Sequence, residues 1–570
     1  MTDQKPSAEE LAALEAEAEL AEAQQKAAEA KAKLAAARVA ASTKSDDSPA
    51  VEEAAPAKEA AASNDAPLDV DDVAAIKAGY EFEGTTLNLG ALVNGDPDAD
   101  VQIRIPLGML NRHGLVAGAT GTGKTRTLQA LAEQIAANGV PVFAADIKGD
   151  LSGVATAGES NDKLLARTQG IGQDWKPDAS PTEYYSLGGV GKGVPIRATL
   201  HGFGPLLLSK VLGLNATQES SLTLVFHYAD QNGLTLVDLS DLRAVLMHLT
   251  SDEGKAELAN LGGLSKQTAG VILRELVTFA DGGADVFFGE PEIDVNEFLR
   301  TTGDGRGIIS LLEVPGVADK PVLYSTFLMY LLSELFEILP EVGDQDKPKL
   351  VFFFDEAHLL FKDASKDFQQ AIIQTVRLIR SKGVGVFFVT QTPKDVPSDV
   401  LGQLGSRVQH ALRAFTPEDA KALKATVGTY PKSGYQLDEV LQNLGTGEAI
   451  VTVMSEKGSP TPVAWTRLRA PQGLMSPTPD AQIDAAIAAS ALMQKYGTAV
   501  DPESAKEMLE AKKAAVEQAQ PVPQAEEPQQ QSQQGGGAAD AINQVLNSKA
   551  TQTAVNSVIR GLFGNGKRKR

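Results

Sequence analysis

The sequence predicts an α/β fold with a mostly parallel sheet, extended by a helical insertion and by helical or disordered tails. Three stretches predict it: a glycine-rich loop between an apolar strand and a helix at residues 115–138, a second strand at 140–146, and a buried strand at 349–354 that ends in two carboxylates. Strands that are joined through a helix at this spacing form βαβ units, and such units build parallel sheets.

The glycine-rich loop fits the pattern G-x-x-x-x-G-K-[ST], which binds phosphate. Its residues are Gly118, Ala119, Thr120, Gly121, Thr122, Gly123, Lys124 and Thr125, with Arg126 next in the helix. Glycines let backbone N–H groups point at phosphate oxygens at the start of a helix. Lys124 is expected to reach the β- and γ-phosphates, and the Thr125 hydroxyl is expected to ligate Mg²⁺. We therefore predict that residues 118–126 bind ATP together with Mg²⁺.

Two adjacent carboxylates, Asp355 and Glu356, follow the buried strand at 349–354. Ligands bind outside the carboxyl ends of strands in open α/β sheets, so this pair is expected to face the glycine-rich loop. Asp355 is expected to hold Mg²⁺, and Glu356 is expected to polarise the attacking water as a general base. Gln391 ends the strand at 385–391, where a γ-phosphate sensor would lie; the alternative is an ordinary strand end.

Composition limits the function classes. The net charge of −22 argues against an overall basic nucleic-acid binder, and the 570 residues exceed one ordinary domain. The absence of cysteine excludes disulfides, thiolate metal sites and cysteine nucleophiles, and it suits a cytoplasmic location. No secretory signal is recognised at the N-terminus, and the most apolar run, at 322–339, contains acidic residues that indicate a buried helix instead of a membrane span.

The chain divides into segments of different composition. The predicted segments are a charged Ala-rich helix (1–41), a disordered linker (42–69), a small β-rich lead-in (70–110), the P-loop ATPase core (111–152 and 305–470), a mostly helical insertion (153–304), C-terminal helices (471–517), a Gln/Pro/Gly linker (518–540) and an amphipathic helix with a basic end (541–570). The first helix is either a lone charged helix or part of a weak coiled coil. The last is either a docking segment or a helix that packs on its own domain.

Several longer strings resemble the bacterial HerA-like family of YjgR-type proteins, which are related to the HerA/FtsK translocases. The strings are residues 111–114 before the glycine-rich loop, 145–151, 287–291, 349–360, 377–386 and 403–415. The resemblance spans about residues 79–512. It implies a RecA-like ATPase core that assembles into a homo-oligomeric ring, with a hexamer as the expected form.

The resemblance also suggests roles for individual residues. In HerA/FtsK relatives a neighbouring subunit contributes an arginine to the transition-state charge, and the candidates here are Arg380 and Arg407; each could instead be a surface ion-pair arginine. Asp146 could order the loop or a metal-bound water, or it could cap a helix. His113 and His358 are interpreted as packing or hydrogen-bonding residues. The short lead-in before residue 112 leaves little room for the N-terminal β-barrel of archaeal HerA.

Two functions remain open at this level. The resemblance implies an ATP-driven motor of the translocase or helicase type, with double-stranded DNA and a nuclease or other protein as candidate partners. The alternative is a nucleotide-switched assembly or scaffold ATPase that does not act on DNA. A P-loop kinase or transferase is disfavoured because it does not need the Asp–Glu pair. A superfamily 2 helicase is disfavoured because the sequence lacks the Q-x-x-R-x-G-R stretch and a second motor domain.

Overall fold

The computed structural model describes residues 67–258, 262–313, 321–343, 345–362 and 364–519. The Ala-rich helix predicted at 1–41 and the amphipathic helix predicted at 541–570 lie outside these residues. So do almost all of the two predicted linkers, at 42–69 and 518–540.

A twelve-stranded sheet forms the centre of the described chain. Its spatial order is β2-β1-β12-β11-β10-β3-β9-β8-β4-β7-β5-β6. The strands are β1 (Thr86–Asn94), β2 (Asp96–Pro106), β3 (Gly114–Ala117), β4 (Val142–Asp146), β5 (Thr182–Leu187), β6 (Val194–Ile196), β7 (Ile309–Glu313), β8 (Leu350–Phe354), β9 (Val384–Thr390), β10 (Ser406–Gln409), β11 (Glu448–Thr452) and β12 (Ala464–Leu468).

The strands from β10 to β6 are parallel to one another, whereas β11, β12, β1 and β2 continue the sheet in antiparallel pairs. The carboxyl ends of the parallel strands therefore meet at one edge. This arrangement confirms the predicted α/β class, with a RecA-like core in which the strand before the glycine-rich loop, β3, lies between β10 and β9.

Helices cover both faces of the sheet. They are α1 (Val70–Gly79), α2 (Lys124–Ala137), α3 (Asp162–Gln169), α4 (Leu200–Val211), α5 (Ala216–Asn232), α6 (Leu239–Thr250), α7 (Asp252–Glu257), α8 (Lys266–Asp281), α9 (Pro321–Ile338), α10 (Lys366–Ile379), α11 (Ser398–Leu401), α12 (Pro417–Val427), α13 (Leu437–Asn443), α14 (Asp480–Ala489), α15 (Ala491–Tyr496) and α16 (Ala505–Ala519).

Two apolar cores lie on the two faces, because successive strand residues point to opposite sides. Phe352 and Phe354 of β8 belong to one core with most of α9 and the apolar face of α10. Phe353, between them, belongs to the other core with α2. The apolar run at 322–339 is thus the buried helix that the sequence predicts. Among the described residues, no helix has both the length and the apolar character needed to cross a bilayer.

The segments that flank the core contribute to the same sheet. Residues 153–304 contain α3 to α8 and also β5 and β6, and β5 pairs with β7. Residues 70–110 contain α1 and the β1–β2 hairpin, and β1 pairs with β12. The segment at 153–304 is therefore helical in large part, but its two strands extend the central sheet.

Candidate nucleotide-hydrolysis site

Three neighbouring strands carry the predicted site residues. The order β3-β9-β8 is consecutive in the sheet, and all three strands run parallel. The glycine-rich loop follows β3, Gln391 follows β9, and Asp355 and Glu356 follow β8. The structure therefore brings the loop and the carboxylate pair to one edge of the sheet, with the exposed Gln391 at the end of the strand between them.

The glycine-rich loop begins between the ends of two flanking strands. The Gly118 N–H donates to the Thr390 carbonyl at 3.2 Å, and the Ala119 N–H donates to the Ala411 carbonyl at 2.8 Å. Gly118 has a φ of 155°, and a Cβ there would lie 2.4 Å from the Cβ of His410. Only glycine fits this close approach, so the first glycine of the motif has a packing reason as well as a conformational one.

His410 supports the loop from the core side. It is fully buried, its ring Nε2 lies 2.9 Å from Thr127 Oγ1 in α2, and its backbone N–H donates to the Ala117 carbonyl at 2.7 Å. Burial, followed by the charge of Lys124, lowers the pKa of His410 to about 4, so the ring is neutral at pH 7. His410 therefore joins β3 through its backbone and α2 through its ring, a role that the sequence analysis did not assign.

Lys124 lies within the loop. Its Nζ donates to the carbonyls of Gly118 at 2.6 Å and Ala119 at 3.2 Å. Partial burial lowers the pKa of Lys124, while the charges of Glu356 and Asp355 act in the opposite direction. The ammonium group is therefore within electrostatic range of both carboxylates.

The carboxylate pair has an unusual backbone. Glu356 has φ 48° and ψ 49°, a left-handed conformation that non-glycine residues rarely adopt. Its N–H donates to Asp355 Oδ1 at 2.9 Å, and Tyr324 Oη donates to the Asp355 carbonyl at 3.0 Å. Burial, followed by the charge of Glu356, raises the pKa of Asp355 to about 6. A cation beside Asp355 would favour its ionised form.

The residues predicted to ligate a metal fit a magnesium ion that is shared with a nucleotide. Thr125 lies in the first turn of α2, and Asp355 follows β8. The described ranges contain no group of three or more His, Cys, Asp or Glu residues that could hold a metal alone. Mg²⁺ is commonly bound by one or two carboxylates together with substrate phosphates, and Thr125 with Asp355 suits that mode.

The two oxygens of the Glu356 carboxylate differ: Oε1 accepts a hydrogen bond, whereas Oε2 is buried without one. Lys148 Nζ donates to Oε1, and His358 Nδ1 lies 3.3 Å from Oε2. Burial by itself would raise the pKa of Glu356, but the hydrogen bond and charge of Lys148, with the charges of His358 and Lys124, bring it below the usual value. Glu356 is therefore ionised at neutral pH.

Lys148 is the main contact that the sequence analysis missed. A signal was available, because Lys148 comes two residues after the carboxyl end of a predicted parallel strand, where ligands bind. The neighbouring Asp146 fixes this turn through three hydrogen bonds. Its Oδ1 accepts from the backbone N–H of Lys148 at 3.2 Å and of Gly149 at 2.9 Å, and its Oδ2 accepts from the backbone N–H of Leu151 at 2.7 Å. Of the alternatives for Asp146, this geometry favours a structural capping role.

Arg126 lies beside the loop, in the first turn of α2. Its Nη1 donates to Gln129 Oε1 at 2.9 Å. Partial burial lowers the pKa of Arg126, while the charges of Asp150, Asp146 and Glu133 oppose that shift. Arg126 therefore lies between the loop and the turn that follows β4, at the same edge of the sheet.

The two candidate arginines lie away from the carboxylate pair of their own chain. Arg380 begins a short 3-10 helix that precedes β9, whereas the site lies at the carboxyl end of that strand. Arg407 is in β10; its Nη1 donates to Thr429 Oγ1 at 2.8 Å, and its Nη2 lies 3.5 Å from the Leu401 carbonyl. A role for either arginine in hydrolysis therefore requires a neighbouring subunit.

Comparison with known families gives one match that spans most of the chain. A family model described as Helicase HerA-like C-terminal matches residues 92–570. These residues include every predicted site residue, from Gly118 to Arg407.

Individual relatives are distant. The chain is 21% identical to the DNA double-strand break repair helicase HerA of Sulfurisphaera tokodaii over 65% of this chain and 67% of that protein. It is 28% identical to a probable helicase of Methanocaldococcus jannaschii over 28% of this chain and 32% of that protein. Among solved structures, the plasmid coupling protein TrwB in complex with an ATP analogue has a TM-score of 0.49 at 15% identity, over 71% of this chain and 93% of that one.

Proposed function

The chain belongs to the family of HerA-like helicases, whose C-terminal model matches residues 92–570, and we propose that it is an ATP-hydrolysing motor. The observation that carries the proposal is the meeting of the glycine-rich loop and the Asp355–Glu356 pair at one edge of the parallel sheet. Phosphoryl transfer depends almost entirely on positioning and charge stabilisation, and this edge supplies both kinds of group.

In the proposed mechanism, the N–H groups of residues 118–125 hold the phosphates, and Lys124 neutralises the β- and γ-phosphate oxygens. Thr125 and Asp355 would hold Mg²⁺, which supplies positive charge at the same oxygens. Glu356 orients the attacking water and accepts its proton, and Gln391 contacts the γ-phosphate. The pre-formed loop and the ionised Glu356 support these assignments.

The proposed substrate is double-stranded DNA, translocated by a homo-oligomeric ring that we take to be a hexamer. In such a ring, Arg380 or Arg407 would reach the site of the adjacent subunit. Helix α10 offers cations for phosphate contacts, because Lys366 and Arg377 are exposed on the side opposite its buried apolar face. A cytoplasmic location and a nuclease or other protein partner complete the proposal.

One observation favours a second function, a nucleotide-switched assembly or scaffold ATPase. The net charge of −22 opposes the approach of a polyanion, so DNA binding would need a strong local basic surface. In this alternative, ATP binding sets the oligomeric state, and no nucleic acid takes part.

The deciding experiment is the ATPase rate with and without duplex DNA, at low and moderate salt. The motor predicts stimulation that weakens as salt increases, since phosphate contacts release counterions. Lys124→Ala is the control, and it should lose nucleotide binding and turnover together. ATP hydrolysis without stimulation, and without DNA binding at low salt, would favour the scaffold function.

A further inference from the structure

Lys148 and Glu356 come from two neighbouring parallel strands. β4 pairs with β8 in the register Ala145 to Phe354, so the residues that follow the two strands emerge side by side. Lys148 Nζ donates to Glu356 Oε1 between the two strand ends. The contact therefore joins the turn after β4 directly to the proposed base.

The two partners differ in their freedom to move. The side chain of Lys148 is 52% exposed, whereas that of Glu356 is 10% exposed. The backbone of the lysine turn is fixed by three hydrogen bonds to Asp146. The ammonium group can consequently change partner by side-chain rotation alone, while the carboxylate keeps its place.

The proposed phosphate site lies within electrostatic range of the same ammonium group. The charge of Lys148 acts on Lys124, the loop residue that is proposed to bind the phosphates. Both cations thus lie within electrostatic range of the two carboxylates. An ATP γ-phosphate between them would bring more negative charge to Lys148 than Glu356 does, and charge-assisted bonds to phosphate oxygens are among the stronger ones.

The present contacts leave Glu356 without a carboxylate oxygen that is free to bind the attacking water. Glu356 Oε1 accepts from Lys148, and Oε2 is buried beside His358. A general base needs a carboxylate oxygen within hydrogen-bond reach of the attacking water. Departure of Lys148 would free Oε1 without any backbone movement.

We propose that Lys148 is a positioning residue that exchanges partners: it pairs with Glu356 before ATP binds and with the γ-phosphate afterwards, which releases Glu356 Oε1 to the attacking water. The inference rests on the proposed function and deepens it. It makes Lys148 the group that distinguishes ATP from ADP, because only ATP carries the phosphate that competes with Glu356.

The test is equilibrium binding of a non-hydrolysable ATP analogue and of ADP, each with Mg²⁺, to the full chain and to Lys148→Met. Loss of one charge-assisted hydrogen bond predicts that affinity for the analogue falls about tenfold. ADP affinity should stay at the wild-type value, which also shows that the variant is folded. Lys176→Met is the matched control, since it removes an exposed ion pair with Asp174, and it should change neither affinity.

An unchanged ratio of analogue affinity to ADP affinity in Lys148→Met would overturn the exchange. This holds whether neither affinity falls or both fall by the same factor. These outcomes differ from failure of the proposed function, in which the wild type would bind neither nucleotide, or would bind both without any hydrolysis. The binding measurement needs no turnover, so Lys148 is tested independently of Glu356 chemistry.

Discussion

Gly118 and His410 lie in direct contact, so that a Cβ on Gly118 would be 2.4 Å from the Cβ of His410. The first glycine of the phosphate loop is therefore packed against the residue that follows β10. The ring of His410 also contacts Thr127 of α2, so one buried residue sets the position of both the loop and the helix that follows it.

Gly118→Ala should disrupt this contact and weaken nucleotide binding. The added methyl group meets backbone and Cβ atoms of His410, which cannot move without shifting β10. Gly121→Ala is the matched control: it has a φ of 79° but no atom within 4 Å of the added Cβ, so it costs about 1 kcal/mol of backbone strain. Thermal melting and nucleotide titration of both variants check the difference, and equal losses would contradict it.

Glu356→Gln should bind ATP and lose turnover by about 10²- to 10⁴-fold, the usual contribution of a general base. The amide cannot accept the proton of the attacking water, but it keeps the shape of the carboxylate. Steady-state ATPase rates and nucleotide titration give the two readouts. Glu439→Gln, at an exposed position of α13, is the control that should leave both unchanged. Turnover that survived in Glu356→Gln would remove Glu356 from the base role.

The stability of the fold should fall in mild acid partly through His113. Its Nδ1 accepts from the Val386 N–H at 3.0 Å, and burial, followed by the charges of Arg380 and Arg112, lowers its pKa to about 4. The unfolded chain binds the proton near pH 6.5, whereas the folded chain resists it to about pH 4, so stability is lost as the pH falls through this window.

The measurement for His113 is the free energy of unfolding at pH 7.5 and pH 5, from urea titrations of the wild type and His113→Asn. The wild type should lose about 2 kcal/mol more than the variant between these conditions. His227→Asn, at an exposed position of α5, is the matched control. A penalty for His113→Asn that is the same at both pH values would contradict the expected role of protonation.

Subunit mixing should identify the arginine that acts across the ring. Arg380→Ala and Arg407→Ala are each mixed with Lys124→Ala, because a site can then combine an intact loop with an intact arginine from its neighbour. A random equal mixture should recover about a quarter of wild-type ATPase activity for the correct arginine. An arginine whose mixture recovers nothing does not act in trans, and failure of both mixtures would exclude both candidates.

The sequence was most informative where the chemistry is local. The loop at 118–125 needs a strand before it and a helix after it, and β3 and α2 are found there. The sequence places Asp355 and Glu356 directly after a strand, and β8 ends at Phe354. These features depend on a few consecutive residues, so periodicity and turn chemistry were sufficient to locate them.

Features that depend on strand order were not predictable in the same way. The Lys148–Glu356 pair exists because β4 lies next to β8, which neither local sequence specifies. Thr182–Leu187 is a strand because it pairs with β7, whereas the sequence analysis assigns it to a mostly helical segment. The position of His410 beneath the loop likewise follows from the pairing of β10 with β3.

At position 356, the residue proposed for catalysis differs from the residue that best fits the left-handed backbone. A glycine at position 356 would adopt φ 48° without the roughly 1 kcal/mol that an L-residue with a Cβ has to bear. A library screened for thermostability alone would therefore tend to enrich glycine or asparagine there and discard the carboxylate. A more thermostable variant of this protein must keep Glu356. A substitution that relieves the backbone strain there would raise thermal stability but remove the proposed base.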